Sequence, residues 1–180
     1  MISTMEHMAR RIFLNKNIVL IGMPGCGKTT IGRLLADNLS LPFVDVDEYI
    51  EKKTGKSVRQ LFSRGEEFFR EIETTAIKEI SSLSPRVIAT GGGVVKKEVN
   101  MDILSKNSII IFINRPIEDI VKDIDADSRP LLKDNLDRIY SLFYERYPLY
   151  LKYCDLEIKN DIGIDETINE ILDAIKKGYD

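Results

Sequence analysis

Histidine and cysteine are nearly missing from this chain. One histidine, His7, and two cysteines, Cys26 and Cys154, stand among 180 residues. That scarcity nearly excludes a histidine-based triad, a His-rich metal site, a thiolate zinc site and a disulfide framework. Positive charge is not in excess either. The net charge of −3 argues against general affinity for nucleic acid or an acidic membrane surface. Any anionic ligand must be held by a local basic cluster. No apolar run is long enough to span a bilayer, and residues 1–15 lack the apolar core of a secretory signal. The expected compartment is the cytoplasm, with small molecules as partners, no nucleic acid and no membrane. Two motifs are also missing. No Asp follows the apolar segments ending at Ala89 and Asn114, where a Walker B acid would stand. No guanine-reading N-K-x-D pattern follows a strand. Motor ATPases and signalling GTPases are disfavoured on both counts.

What is present is a phosphate-binding loop. Gly22-Met-Pro-Gly-Cys-Gly-Lys28-Thr29 fits G-x-x-x-x-G-K-[ST] at every fixed position. An apolar, β-rich segment precedes it, and Thr29 to Leu39 follows with apolar residues at helical spacing. Glycines let backbone N–H groups turn toward phosphate oxygens, and the helix N-terminus adds partial positive charge. Gly25, Cys26, Gly27, Lys28, Thr29 and Thr30 are therefore the candidate phosphate contacts, with Lys28 neutralising the outer phosphates. The Thr29 hydroxyl is a candidate magnesium ligand. Cys26, beside Lys28 at a helix N-terminus, is expected to be the more reactive thiol. Cys154 is expected to be buried.

Strand and helix patterns alternate along the chain. The patterning predicts strands over 17–21, 42–45, 86–89, 108–114 and 155–158. It predicts helices over 29–39, 47–53, 57–82 (two helices), 96–104, 116–123, 134–153 and 165–177. Such alternation implies an α/β fold, a parallel sheet flanked by helices, formed here as one domain over residues 1–180. Residues 1–15 would be an N-terminal extension. Ligands of such sheets bind beyond the carboxyl ends of the strands. After the second strand stand Asp45 and Asp47. One can hold magnesium through water, and the other can orient an acceptor hydroxyl. Asp47 begins a helix and is also a candidate N-cap. After the third strand stand Gly91, Gly92 and Gly93, which allow close backbone approach to a ligand. Arg70 and Glu73 lie three apart on one helical face and can pair. Arg146 precedes Pro148, which is expected to break or restart its helix. The stripe Leu136, Ile139, Tyr140, Phe143, Tyr144 and Tyr147 reads as core packing. Residues from Lys122 to Leu132 are polar, then apolar, and read as a surface segment closing with Arg129.

Taken together these motifs resemble shikimate kinase along nearly the whole chain. The family's phosphate loop matches Gly22 to Thr29, its D-x-D pair Asp45 and Asp47, and its F-R-x-x-E Phe69, Arg70 and Glu73. Its triple glycine matches Gly91 to Gly93, its lid R-P-L-L Arg129 to Leu132, and its R-x-P-L-Y Arg146 to Tyr150. The resemblance implies a P-loop, nucleoside-monophosphate-kinase-like fold with five parallel strands. It also implies transfer of the γ-phosphate of ATP to the 3-hydroxyl of shikimate, with Mg2+, by a cytoplasmic monomer. That step lies on the route to chorismate and aromatic amino acids. In that picture Arg70 and Arg146 bind the shikimate carboxylate, and Glu73 orients Arg70. Asp47 contacts the hydroxyls as candidate base, and the glycine loop lines the pocket. Lys28 and Arg129 stabilise the transferring phosphoryl group. Thr29 and Asp45, the latter through water, organise the metal. Residues 122–132 would form a lid. The family often has Arg where Lys122 stands, stacked on adenine, and Glu where Lys152 stands. The adenine-side loop falls near Lys159 and Asn160. Two other readings are a kinase of another small hydroxy acid, such as gluconate, and a non-catalytic binding module. The full motif set disfavours the first. The intact Lys28, Asp47 and Arg129 disfavour the second.

Overall fold

The computed structural model describes residues 15–83, 85–127 and 133–177, with side chains of 124–127 and 133–135 left aside. Residues 1–14 of the expected N-terminal extension, and residues 128–132 with Arg129, lie outside the described residues.

Five strands form one sheet: β1 (Asn17–Ile21), β2 (Phe43–Asp45), β3 (Val87–Ala89), β4 (Ser108–Asn114) and β5 (Leu156–Lys159). Their order is β2-β3-β1-β4-β5, and every neighbouring pair is parallel. The expected fold class is the observed one. Parallel strands are covered on both faces, so their sequences run continuously apolar instead of alternating. Ile18 to Ile21 in β1 and Ile109 to Ile113 in β4 are such runs, and all nine residues are buried. Asn17 is the polar exception. Its side-chain oxygen accepts from the Arg86 N–H at 3.1 Å, and its amide donates to the Ser81 carbonyl at 3.3 Å.

Helices α1 (Lys28–Leu39), α2 (Val46–Thr54), α3 (Val58–Phe62), α4 (Glu66–Ser81), α5 (Glu98–Ser105), α6 (Ile117–Asp127), α7 (Lys133–Tyr153) and α8 (Ile164–Lys177) complete the described order. The expected break within 57–82 falls at Ser63 to Gly65, between α3 and α4. Ser57 and Gln60 form a reciprocal capping box that starts α3. Glu66 and Glu67 favour the start of α4 through its dipole.

Three expectations are corrected. Asp45, not Asp47, caps α2: its Oδ1 accepts from the N–H groups of Asp47 at 3.0 Å and Glu48 at 3.3 Å. The helix starts one residue earlier than the charge pattern suggests. Pro148 does not break α7, which runs through it. The carbonyl that loses its N–H partner belongs to Tyr144, an exposed residue where solvent can serve it. Beyond the proline, Tyr150 stacks on Phe112 with centroids 5.1 Å apart and holds the helix to the sheet. Tyr144 itself leaves the expected core stripe, since its ring faces solvent while Phe143 and Tyr147 pack inward.

The chain leaves β1 toward β2 on one side of the sheet and leaves β4 toward β5 on the other. The reversal lies between β1 and β4. Crevices at such points are where doubly wound sheets bind ligands. The phosphate loop follows β1 into this crevice, and Arg115 follows β4.

Candidate active site

The loop between β1 and α1 is built by close approach. Gly22 has φ 146°, and a Cβ there would lie 2.7 Å from the Ile113 carbonyl oxygen and 2.9 Å from the Cys26 sulfur. Only glycine fits. Lys28 curls back over the loop, donating to the carbonyls of Gly22 at 2.9 Å and Met23 at 2.8 Å. Its ammonium is buried and forms no ion pair with a described residue. A buried cation lacking a carboxylate is costly, and an anionic ligand relieves that cost. Thr29 Oγ1 donates to Asp45 Oδ2 at 2.7 Å. One aspartate thus caps α2 and reaches the loop.

A cavity of about 580 Å³ opens beside this loop, lined by Gly25, Gly27, Lys28, Thr29 and Thr30, and on its far wall by Arg115, Asp119, Asp123 and Asn160. Asn160 Nδ2 donates to the Cys26 carbonyl at 3.0 Å, tying the loop after β5 to the phosphate loop. The neighbourhood of Lys159 and Asn160 expected on the adenine side is therefore at the cavity. Lys122 is not part of the lining: its ammonium is exposed and pairs with Asp119 at 2.8 Å. Lys152 is also exposed, 3.7 Å from Glu98. The burial of the two cysteines differs from the expectation. Cys26 is 1% exposed, packed beneath the loop by Gly22, whereas Cys154 is only half-buried. Burial and the nearby Glu157 raise the Cys154 pKa.

A second, smaller cavity of about 180 Å³ holds Asp47, Arg70, Glu73, Gly91, Gly92, Gly93 and Arg146, drawn from four separate segments. Pro24, Val58, Phe62 and Phe69 supply its apolar wall. Val58 and Phe62 were missed at the sequence level, and Pro24 and Phe69 were read only as parts of motifs, because an apolar residue facing a cavity carries the same pattern as one facing the core. Arg70 is 4% exposed and lies on α4 among the core residues Phe69, Ala76 and Ile77. Its Nη1 donates to Glu73 Oε2 at 2.8 Å and its Nη2 to Glu66 at 3.3 Å. Glu73 is fully buried and also accepts from Asn100 Nδ2 at 3.3 Å. Asn100, from α5, is a further residue that the sequence did not single out.

Gly93 makes room for this pair. A Cβ there would sit 2.0 Å from Arg70 Nη2. A Cβ on Gly91 would meet Asp47 Oδ1 at 3.1 Å and Glu73 Oε1 at 3.4 Å. Tyr150 donates its hydroxyl to the Gly92 carbonyl at 2.5 Å, and burial pushes its phenol up, keeping it a donor.

Four buried polar atoms on residues that line this cavity have no protein partner: Asp47 Oδ1, Glu73 Oε1, Arg70 Nε and Arg146 Nε. Buried polar atoms are normally satisfied. Two cations, Arg70 and Arg146, and two carboxylates, Asp47 and Glu73, thus line one small space. Burial raises the Asp47 pKa, helped by Asp45, while Lys28 and Arg70 oppose the shift. Burial likewise raises that of Glu73 against the pull of Arg70. A carboxylate raised in this way is a better proton acceptor.

A family model for shikimate kinase matches residues 24–176. A shikimate kinase of Clostridium botulinum (strain Alaska E43 / Type E3) is 52% identical over 158 residues, which cover 88% of this chain and 96% of that one. The chain belongs to the shikimate kinase family. Among solved structures, the shikimate kinase from Acinetobacter baumannii in complex with shikimate superposes with a TM-score of 0.82. It is 32% identical, with 91% of this chain and 94% of that one covered. A gluconokinase from Sinorhizobium meliloti 1021 shares the fold alone, at 14% identity and a TM-score of 0.63, with 91% and 93% of the chains covered. Membership of the shikimate kinase family matches the pairing of a phosphate loop with a small cavity closed by two arginines.

Proposed function

We propose that this chain transfers the γ-phosphate of ATP to the 3-hydroxyl of shikimate, on the route to chorismate and aromatic amino acids. The observation that carries this reading is the small cavity beside the phosphate loop that gathers Arg70, Arg146, Asp47 and Glu73, each with a buried atom lacking a protein partner. Arg70 and Arg146 hold the shikimate carboxylate, because a planar fork matches a carboxylate better than an ammonium does. Glu73 orients Arg70. Asp47 receives the proton as the acceptor oxygen bonds to phosphorus, and the bond from phosphorus to the bridging oxygen of ADP breaks. Lys28, the loop amides and Arg129 would neutralise the developing charge; the proposed lid over 122–132 falls partly on α6, which runs to Asp127, and partly outside the described residues. Gluconate offers a carboxylate too, but that kinship rests on fold alone.

The residues fit magnesium. Thr29 and Asp45 bring two hard oxygens together at 2.7 Å. Among the described residues no cluster of three or more His, Cys, Asp or Glu could hold a metal unaided, so the nucleotide would complete the ligand set. Thr29 would bind the ion directly and Asp45 through water. What it supplies there is charge neutralisation at the phosphate oxygens. Asp45→Asn should raise the magnesium concentration needed for half-maximal rate. An unchanged magnesium titration would remove Asp45 from the site.

The proposed working form is a cytoplasmic monomer of one domain. Sedimentation tests the monomer. Among the described residues no helix is long and apolar enough to cross a membrane. The activity itself is tested by ADP release with and without shikimate, and by phosphorus NMR of the product. No shikimate-dependent ADP, or phosphate on another hydroxyl, sinks the assignment.

Asp47→Asn should cut turnover and raise stability together. The folded pKa of Asp47 lies above its ordinary value of 3.8. The folded state therefore holds this proton more tightly than the unfolded chain. Its contribution to stability falls as pH rises from that ordinary value through the raised one, and the penalty is complete above it. Asn carries no such penalty. At pH 7 the variant should melt above the parent, with the gap narrowing toward pH 4, and the acid limb of kcat/KM should vanish. Equal melting temperatures at pH 7 would contradict the burial argument.

A further inference from the structure

The wall of the larger cavity facing the phosphate loop is acidic. Asp119, Asp123 and Asp161 line it, against the cations Lys28 and Arg115. A nucleotide brings several more negative charges into a space whose described side chains already sum to −1 by these five groups. Lys28 belongs to the loop itself. Lys122, next to Asp123 in the chain, points its ammonium at Asp119 outside the lining. Arg115 is left as the cation of that wall among the described residues.

Its placement is specific. Arg115 ends the β4 side of the crevice, and its Nη1 donates to the carbonyl of Gly25, inside the phosphate loop, at 3.0 Å. That contact joins residues 90 apart and holds the guanidinium at the rim of the phosphate cradle. The same Nη1 pairs with Asp123 on α6 at 2.6 Å. The Asp123 side chain is 64% exposed, against 23% for Arg115. An exposed ion pair is weak, so exchanging that carboxylate for another anion costs little. A guanidinium presents five donors, so the Gly25 bond can persist while others turn to phosphate.

We propose that Arg115 is a nucleotide-binding residue, whose guanidinium stays on the Gly25 carbonyl and gives up Asp123 for the phosphates held in the loop. This rests on the reading of the chain as an ATP-dependent kinase. It assigns the charge of the far wall to the residue after β4 and not to Lys122.

Calorimetric titration of the full chain with ADP, and separately with inorganic tripolyphosphate, tests it. Arg115→Met should weaken both ligands about tenfold, the worth of one lost charge-assisted hydrogen bond. Arg115→Lys should lose less affinity than Arg115→Met, since it keeps the charge and gives up the fork, and KM for shikimate should stay put in both variants. Asp123→Asn should tighten both ligands by about two- to threefold, since the competing carboxylate is gone. That arm holds the proposal to account even where Arg115→Met folds poorly, which ligand-free melting curves report. Unchanged binding in Arg115→Met overturns the proposal. So does a loss confined to ADP, which would place Arg115 on the base, or weaker binding in Asp123→Asn. A parent chain that binds no ADP would instead fail the kinase reading itself.

Discussion

Lys28→Met should turn over shikimate about a hundred- to a thousandfold more slowly, with the fold kept. A preorganised donor aimed at charge that develops during phosphoryl transfer is worth about that much in kcat. The ammonium is already in place without a ligand, 2.9 Å and 2.8 Å from the carbonyls of Gly22 and Met23. Its third donor faces Cys26 Sγ at 3.6 Å, the weakest of the three contacts and the one a phosphate oxygen would replace. Methionine keeps the length of the side chain and loses its charge. The melting temperature of the ligand-free variant should move little. Relief from burying an unpaired charge opposes the loss of two carbonyl contacts. Steady-state kinetics and a thermal melt check both halves. A variant with near-native kcat would remove Lys28 from catalysis. A collapsed melting temperature would make its role structural.

Arg70→Lys should cost about 2–3 kcal/mol of transition-state binding, or about a 30- to 150-fold fall in kcat/KM for shikimate. Lysine keeps the positive charge that the buried Glu73 requires. Removing the charge altogether would strand a carboxylate in the core at about 3–5 kcal/mol and confuse folding with catalysis. What lysine loses is the fork. Arg70 uses Nη1 on Glu73 and leaves Nε unpartnered in the cavity. A single ammonium cannot serve Glu73 and grip a carboxylate in one plane. ATP affinity measured without shikimate should stay unchanged. Near-normal kcat/KM for shikimate would refute the carboxylate clamp.

The catalytic scaffold was legible because its signals are local. The apolar run before Gly22 and the helical spacing after Thr29 are properties of contiguous residues, and β1 and β4 fall at the expected bounds. The misreadings share one cause, which is that neighbours in space overrode neighbours in sequence. Pro148 sits in a continuous helix because Phe112 and the sheet hold the turns around it. Cys26 is inert-looking and buried because Gly22 folds over its sulfur. Asp45 is the exception: its cap on α2 is local, Oδ1 accepting from Asp47 and Glu48, while Oδ2 accepts from Thr29.

Alternating strand and helix patterns and the glycine spacing of the loop were enough to reach a parallel α/β fold that binds phosphate, and the resemblance of the whole motif set added the transfer reaction. The patterning and the spacing follow from short-range geometry that any such chain must obey. Only the tertiary structure brought Asn100 to Glu73, Phe62 and Phe69 to the wall of the smaller cavity, Asn160 to the Cys26 carbonyl and Arg115 to Gly25. These contacts join elements separated by tens of residues. Their partners are chosen by the order in which strands pair and by the side on which each helix crosses. Neither leaves a mark in the local sequence. The sheet order decides which loop ends meet at the crevice, and so which charges face the ligand.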